Sequence, residues 1–217
     1  MVQRQNGERS FHIFYQMLTG FSSEELNKFR LVKDPKAYKY LAHSECFEVK
    51  GMKDDAEFKL VLKSMKVLGF TEQAKEATWK LLSAILHLGN VEFIRSDAPA
   101  QKNMKQAYNE DAPIPHDTVS IKNPEETEII AELLGVHKAE VNAALTFRTL
   151  STGASRRASL IKVPLDYDSA VRARDALAKA LYSGLFDYVV EQVNVGIKVK
   201  GNLSDKLTIG ILDIYGL

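Results

Sequence analysis

The chain holds a single cysteine, Cys46, among 217 residues. No internal disulfide can form, which excludes a disulfide-stapled secreted scaffold and suits a reducing compartment. No apolar run reaches the roughly 18 residues of a membrane-spanning helix, and the first residues are not signal-like. The chain therefore reads as soluble and intracellular. Charge of one sign is missing as well, since 29 Lys and Arg stand against 28 Asp and Glu. A net charge of +1 supplies no bulk field for nucleic acid or an anionic membrane. Internal repeats and low-complexity stretches are absent, and G-x-x-x-x-G-K-[ST] occurs nowhere. Without that loop no backbone cradle holds phosphates and no lysine neutralises them. What remains is an ordinary globular composition, 45% hydrophobic and 26% charged. The length fits one domain or two small ones.

Apolar spacing divides the first two-thirds into helices. Phe11–Leu18 is dense in bulky apolar residues and reads as a short buried helix. His12 is expected there as a hydrogen-bonded core histidine, because no second ligand stands at metal spacing. Asp34-Pro35 starts a loop, and Tyr38–Leu41 leads into a polar segment around Ser44–Gly51. Asp54 with Glu57 has capping-box spacing, and Phe58, Val61, Leu62, Met65 and Leu68 form a buried face ending at Gly69. The pair Asp54-Asp55 is read as capping and dipole compensation rather than a metal site.

Thr71 opens the next helix, with Ala74, Ala77, Leu81, Ile85 and Leu88 inward, Trp79 near one edge, and His87 structural. Gly89 closes it, and Asn90–Ile94 reads as a short strand. Arg95–Asn123, with Pro99, Pro113 and Pro115, is expected to be a surface insertion or linker. Asn123 is expected to cap a helix that begins at Pro124 and turns Ile129, Ile130, Leu133 and Leu134 inward before Gly135. A further helix follows from Lys138 to Phe147, with Val141, Ala144 and Leu145 inward.

The stretch Asp166–Leu217 organises the rest. Ala170, Ala173, Leu177, Leu181, Leu185, Tyr188, Val189 and Val193 recur at helical spacing, with Asp166 or Asp168 as cap and Gly196 as end. About 28 residues make a rod of roughly 40 Å. Leu207–Leu212 is nearly continuously apolar, as in a strand covered on both faces, and it ends in Asp213 and Gly216. At the carboxyl end of a central strand, such an Asp influences a metal ion or its waters, and such a Gly lets its N–H approach a phosphate. The same two residues also make a good turn, and the residues alone leave both readings open.

Ser151–Lys162 is a polar loop or hairpin tip from which Leu160–Val163 returns as a strand. Within it, Arg156-Arg157-Ala158-Ser159 fits a basic-directed kinase, and phosphorylation at Ser159 would add a charge of about −1.5 to −2. A solvated loop with incidental serines is the alternative.

Several phrases of this chain resemble the myosin motor domain. They are Glu8–Gln16, Gly51 with Asp54–Phe58 and Gly69-Phe70, Ile85–Phe93, Ala173–Tyr182, Leu185–Tyr188 and Ile209–Gly216. The resemblance covers nearly the whole chain. It implies an α/β, predominantly helical fold: part of a myosin-type P-loop NTPase motor domain, with much of the upper 50-kDa region, the long helix and the switch II strand. The expected segments are 1–94 helical, 95–123 loop, 124–165 helices with an actin-facing loop, and 166–217 long helix and strand. Asp213 resembles the switch II acid near magnesium, acting through water, and Gly216 the N–H that meets the γ-phosphate of ATP. Leu217 stands where the family has Phe, and the Glu after it is absent.

Ser159 lies sixteen residues before Asp175, where the family carries an acidic or phosphorylatable residue in its actin-facing loop. With Arg156 and Arg157 it is similar to class I myosins of the amoeboid and fungal type, regulated by heavy-chain kinases. The resemblance further implies actin filaments and light chains as partners of the parent, ATP and Mg2+ as its cofactors, and a place in the cytoplasmic actin cytoskeleton. Without a phosphate loop or switch I, this chain is expected to be inactive as an ATPase by itself. Three readings stand: part of an actin-based motor, a short actin-binding module without catalysis, and an unrelated α/β nucleotide-binding domain. The third needs a phosphate loop of its own, which the sequence lacks.

Overall fold

The computed structural model describes residues 7–43, 45–96, 118–152, 159–198 and 209–211, with the backbone alone at 96, 151–152 and 159–161. In chain order its helices are α1 (His12–Gly20), α2 (Ser23–Lys28), a 3-10 turn (Pro35–Ala37), α3 (Lys39–Ala42), α4 (Asp54–Val67) and α5 (Glu72–Asn90). Strands β1 (Phe93–Ser96) and β2 (Thr118–Ile121) follow, then α6 (Pro124–Leu134), α7 (Lys138–Thr146), β3 (Phe147–Thr152), β4 (Ser159–Pro164) and α8 (Tyr167–Ile197). The described fold is mostly helical. Its two sheets are antiparallel pairs, β1 with β2 and β3 with β4.

The packing centres on α5 rather than on the long helix. Every residue from Leu82 to Gly89 is buried, so this half of α5 has no solvent face, and α3, α6 and α8 pack around it. The expected apolar stripe was too narrow: Ala77 is exposed, whereas Thr78, Trp79 and Leu82 are buried. Trp79 belongs to an aromatic cluster with Phe21 and Phe58, which joins α5 to α4 and to the chain after α1. Helix α8 is a surface rod by comparison. Ala170, Ala178 and Leu185 are buried, Leu177, Leu181 and Val189 are partly so, and Phe186 and Val190 are exposed. Its start is as expected, with Asp166 accepting from the Ser169 N–H at 2.7 Å. It passes Gly196 to end at Ile197, and a side chain at Gly196 would meet Leu68.

Several sequence expectations shift. His12 is exposed, because the first turn of α1 turns it away from the side that buries Phe14, Tyr15, Met17 and Leu18. The capping box lies at Ser22 and Glu25 of α2, not at Asp54. Lys53 holds the cap position of α4, and Asp54 instead binds Arg9 at 2.6 Å. Helix α5 runs through Gly89 to Asn90, so the strand begins at Phe93. The ends of the expected loop 95–123 form the β1–β2 hairpin, in the register Phe93↔Ile121 to Ser96↔Thr118. Ala144 is exposed, and Phe147 opens β3 rather than closing α7. Thr71 caps α5 as expected, accepting from the Ala74 N–H, and Gly135 closes α6 at φ 67, a left-handed conformation that a glycine adopts without a Cβ penalty. The apolar run ending at Leu212 is described only at 209–211, where Ile209 and Ile211 are about 90% exposed and form no strand. Among the described residues no strand lies beside it to supply the ladder that its sequence anticipates.

Asn123 precedes α6 without capping it. Its side-chain oxygen accepts from the Glu92 N–H at 2.8 Å, and its amide donates to the Asn90 carbonyl at 3.1 Å. It thereby fastens the start of α6 to the turn between α5 and β1. Replacing it with Asp, an excellent helix cap, should therefore destabilise by about 1–2 kcal/mol, because a carboxylate would face the Asn90 carbonyl with no proton to donate. Urea unfolding of Asn123→Asp reads this, and a midpoint equal to the parent's would restore the capping role.

Candidate functional site

The segment that carries the sequence-predicted regulatory residues is the β3–β4 hairpin. It grows straight out of α7: Phe147 leaves the helix with φ −132 and ψ 151, and its N–H returns to the Ala143 carbonyl. The strands pair from Phe147↔Pro164 at the base to Thr152↔Ser159 at the outer end. The Leu165 N–H donates to the Thr146 carbonyl at 2.8 Å and closes the base. Leu145, Val163, Leu165 and Ala170 are buried there, so the hairpin is rooted in the core. Farther out, Arg148, Thr149, Leu150 and Lys162 are exposed. A buried root and solvated arms make a projecting element rather than a pocket.

The electrostatics of the root follow from its caps. Asp166 is held below the usual carboxylate range, first by the Ser169 backbone N–H, then by the Ser169 hydroxyl, with weaker help from Arg172 and Arg148. The exposed arms add the cations Arg148 and Lys162. Arg156 and Arg157 lie between the two strands in sequence, within 153–158 and outside the described residues. Ser159 is the first residue of β4, and its backbone pairs opposite Thr152. A phosphate there would enter a neighbourhood rich in arginine and lysine by sequence. The hairpin offers no nucleophile–base pair among its described side chains.

The predicted nucleotide residues are not brought to this hairpin by anything described. Asp213 and Gly216 lie outside the described residues, as do Leu212, Ile214, Tyr215 and Leu217. Among the described residues no group of three or more His, Cys, Asp or Glu side chains could hold a metal ion. No described helix is long and apolar enough to cross a membrane. Sequence reasoning did not single out the exposed cations Arg148 and Lys162, which the register sets on opposite faces of the hairpin, Arg148 across from Val163 and Lys162 across from Thr149.

The chain belongs to the myosin head (motor domain) family, whose family model matches residues 1–217. It is 40% identical over 216 residues to the myosin IE heavy chain of Dictyostelium discoideum, covering all of this chain and 20% of that one. The myosin IF heavy chain of the same organism is 40% identical over 214 residues, covering 97% of this chain and 18% of its own length. Myosin-1 of Emericella nidulans is 37% identical over 217 residues, covering all of this chain and 16% of the relative. This chain thus spans a fifth or less of the length of these curated relatives. The resemblance carried by the sequence phrases and the family match agree, including the class I character of the relatives.

Proposed function

We propose that this chain is the part of an actin-based motor that presents a phosphorylatable, actin-facing hairpin, in a protein that couples ATP binding and hydrolysis to filament binding and movement. The observation that carries the reading is the motor-domain match along all 217 residues. Segments 1–94, 95–123, 124–165 and 166–217 then serve as helical upper region, surface loop, helices with actin-facing hairpin, and long helix with switch II strand. The P-loop NTPase core would be completed by the longer protein, to which light chains would also bind. The working place of such a protein is the actin cytoskeleton of the cytoplasm.

ATP with Mg2+ supplies the phosphoryl group whose cleavage drives the cycle. Asp213 would orient water near the magnesium, and the Gly216 N–H would meet the γ-phosphate. Both assignments rest on the resemblance of Ile209–Gly216 to switch II. Ser159 is the regulatory residue: a kinase with an acidic cleft reads Arg156 and Arg157, and the added phosphate changes the charge of the hairpin that meets the filament. Rooting by Val163 and Leu165 supports this role, because a hairpin tied to the core transmits a contact that a loose loop would absorb.

The test uses the native protein that carries this sequence. Treatment with a basic-directed kinase should raise actin-stimulated phosphate release several-fold in the parent and leave Ser159→Ala unchanged. A full rise in Ser159→Ala would remove Ser159 from the mechanism. Filament binding with no ATP turnover in either protein would leave an actin-binding module in place of a motor.

A further inference from the structure

His87 lies in the enclosed half of α5, and its side chain is 7% exposed. Its Nδ1 stands 2.6 Å from Glu126 Oε2 on α6. Its Nε2 stands 2.9 Å from the carbonyl oxygen of Arg30, in the turn after α2. Both neighbours are natural acceptors. A neutral imidazole has one N–H and one lone pair, so either tautomer would set a lone pair against an oxygen, unless Glu126 itself carried the proton. An imidazolium satisfies both contacts and leaves Glu126 as a carboxylate. Glu126 is the third residue of α6, where the positive end of the helix dipole favours a negative charge.

The surroundings support the ionic arrangement. Tyr38 meets the imidazole edge-on with ring centroids 5.9 Å apart. Its hydroxyl accepts from the Val32 N–H, and burial pushes its pKa up to about 12, so it stays neutral. The Arg30 guanidinium binds Glu132 through Nε and Nη2, with both side chains about half exposed. One turn earlier on α5, the Ser83 hydroxyl donates to the Phe29 carbonyl at 2.6 Å. Arg30 takes φ 58, unusual for a residue with a Cβ, and its carbonyl is the one that reaches His87.

We propose that His87 is held as an imidazolium, a buried cation that locks the Arg30 turn and α6 onto α5. Deprotonation releases one of the two contacts and loosens α6. Because α7 packs on α6 and continues into β3, the lock steadies the platform beneath the hairpin. The proposal stands whether or not Ser159 is phosphorylated.

The test is long-range 1H–15N NMR of the full 217-residue chain with labelled histidine, using His87→Gln to assign the signal. At about pH 7, where an ordinary histidine is largely neutral, both ring nitrogens of His87 should appear protonated. In Glu126→Gln, which keeps the shape but not the charge, one of them should revert to a lone pair. A lone-pair nitrogen in the parent would overturn the proposal, including the arrangement in which Glu126 carries the proton.

Discussion

Gly20→Ala should lower stability by about 3 kcal/mol, although alanine is the better helix former. Gly20 is the last residue of α1, where helix propensity alone forecasts a gain of up to about 1 kcal/mol. Packing forecasts the reverse. A Cβ built on Gly20 would stand 2.3 Å from Cδ1, 2.7 Å from Cγ and 2.8 Å from Cβ of Phe58. Those separations fall far inside van der Waals contact, and one involves Phe58 Cβ, which moves only with the backbone of α4. Phe58 is 1% exposed and cannot swing aside, because Phe21 meets its ring edge-on at 5.1 Å and Trp79 closes in at 5.4 Å. Either α1 and α4 separate, or the aromatic cluster repacks. Urea unfolding should show a lower midpoint for Gly20→Ala, and a midpoint at or above the parent's would mean that the helices have room. Shrinking the obstacle gives the control. In the double variant with Phe58→Leu, the two losses should sum to less than their separate costs, since the smaller side chain vacates the space that the new methyl group needs.

The same close approach shows which parts of the fold were legible in the sequence. Helices existed where their spacing said they would, because the 3.6-residue period is written locally in residues such as Ile130, Leu133, Val141 and Leu145. Which helix is central was not legible. A helix enclosed on all sides, as α5 is from Leu82 to Gly89, has no polar stripe to mark it, while α8 is long and striped and so drew attention that its surface position does not merit. Caps were readable where the side chain had no distant partner, as at Thr71 and Asp166. They failed at Asp54 and Asn123, whose groups are claimed by Arg9 and by the Asn90–Glu92 turn, 45 and about 30 residues away. The capping box at Ser22 was written plainly as Ser-x-x-Glu and was overlooked beside the more acidic Asp54. At the candidate site, the hydroxyl and the arginines before it were legible as a motif. The strand register that ties the base of their hairpin to the core at Val163 was not, since it depends on pairing across the hairpin.

Asp54 supplies the other large effect, and its argument turns on which partner is removed. The sequence alone makes Asp54 a helix cap, worth about 1 kcal/mol when replaced by Ala. In the fold its carboxylate is the acceptor that binds Arg9 Nη2 at 2.6 Å, and the Arg9 side chain is only 3% exposed. The guanidinium lies 4.0 Å above the Tyr15 ring, while its Nε and Nη1 are buried without hydrogen-bond partners among the described residues. Asp54→Ala therefore leaves a buried cation that keeps the Tyr15 face but loses its carboxylate. Loss of one member of such a pair costs about 3–5 kcal/mol. Arg9→Met should cost clearly less. The thioether keeps a favourable contact with Tyr15, and the abandoned carboxylate still sits in the first turn of α4, where the helix dipole and water can take it up. The double variant Arg9→Met with Asp54→Ala should regain much of what Asp54→Ala alone loses, because it removes the buried charge together with its partner. Urea unfolding of the three variants separates the accounts by order. The ion pair requires Asp54→Ala to be the least stable, below the double variant, whereas a simple cap requires the double variant to be the worst of the three.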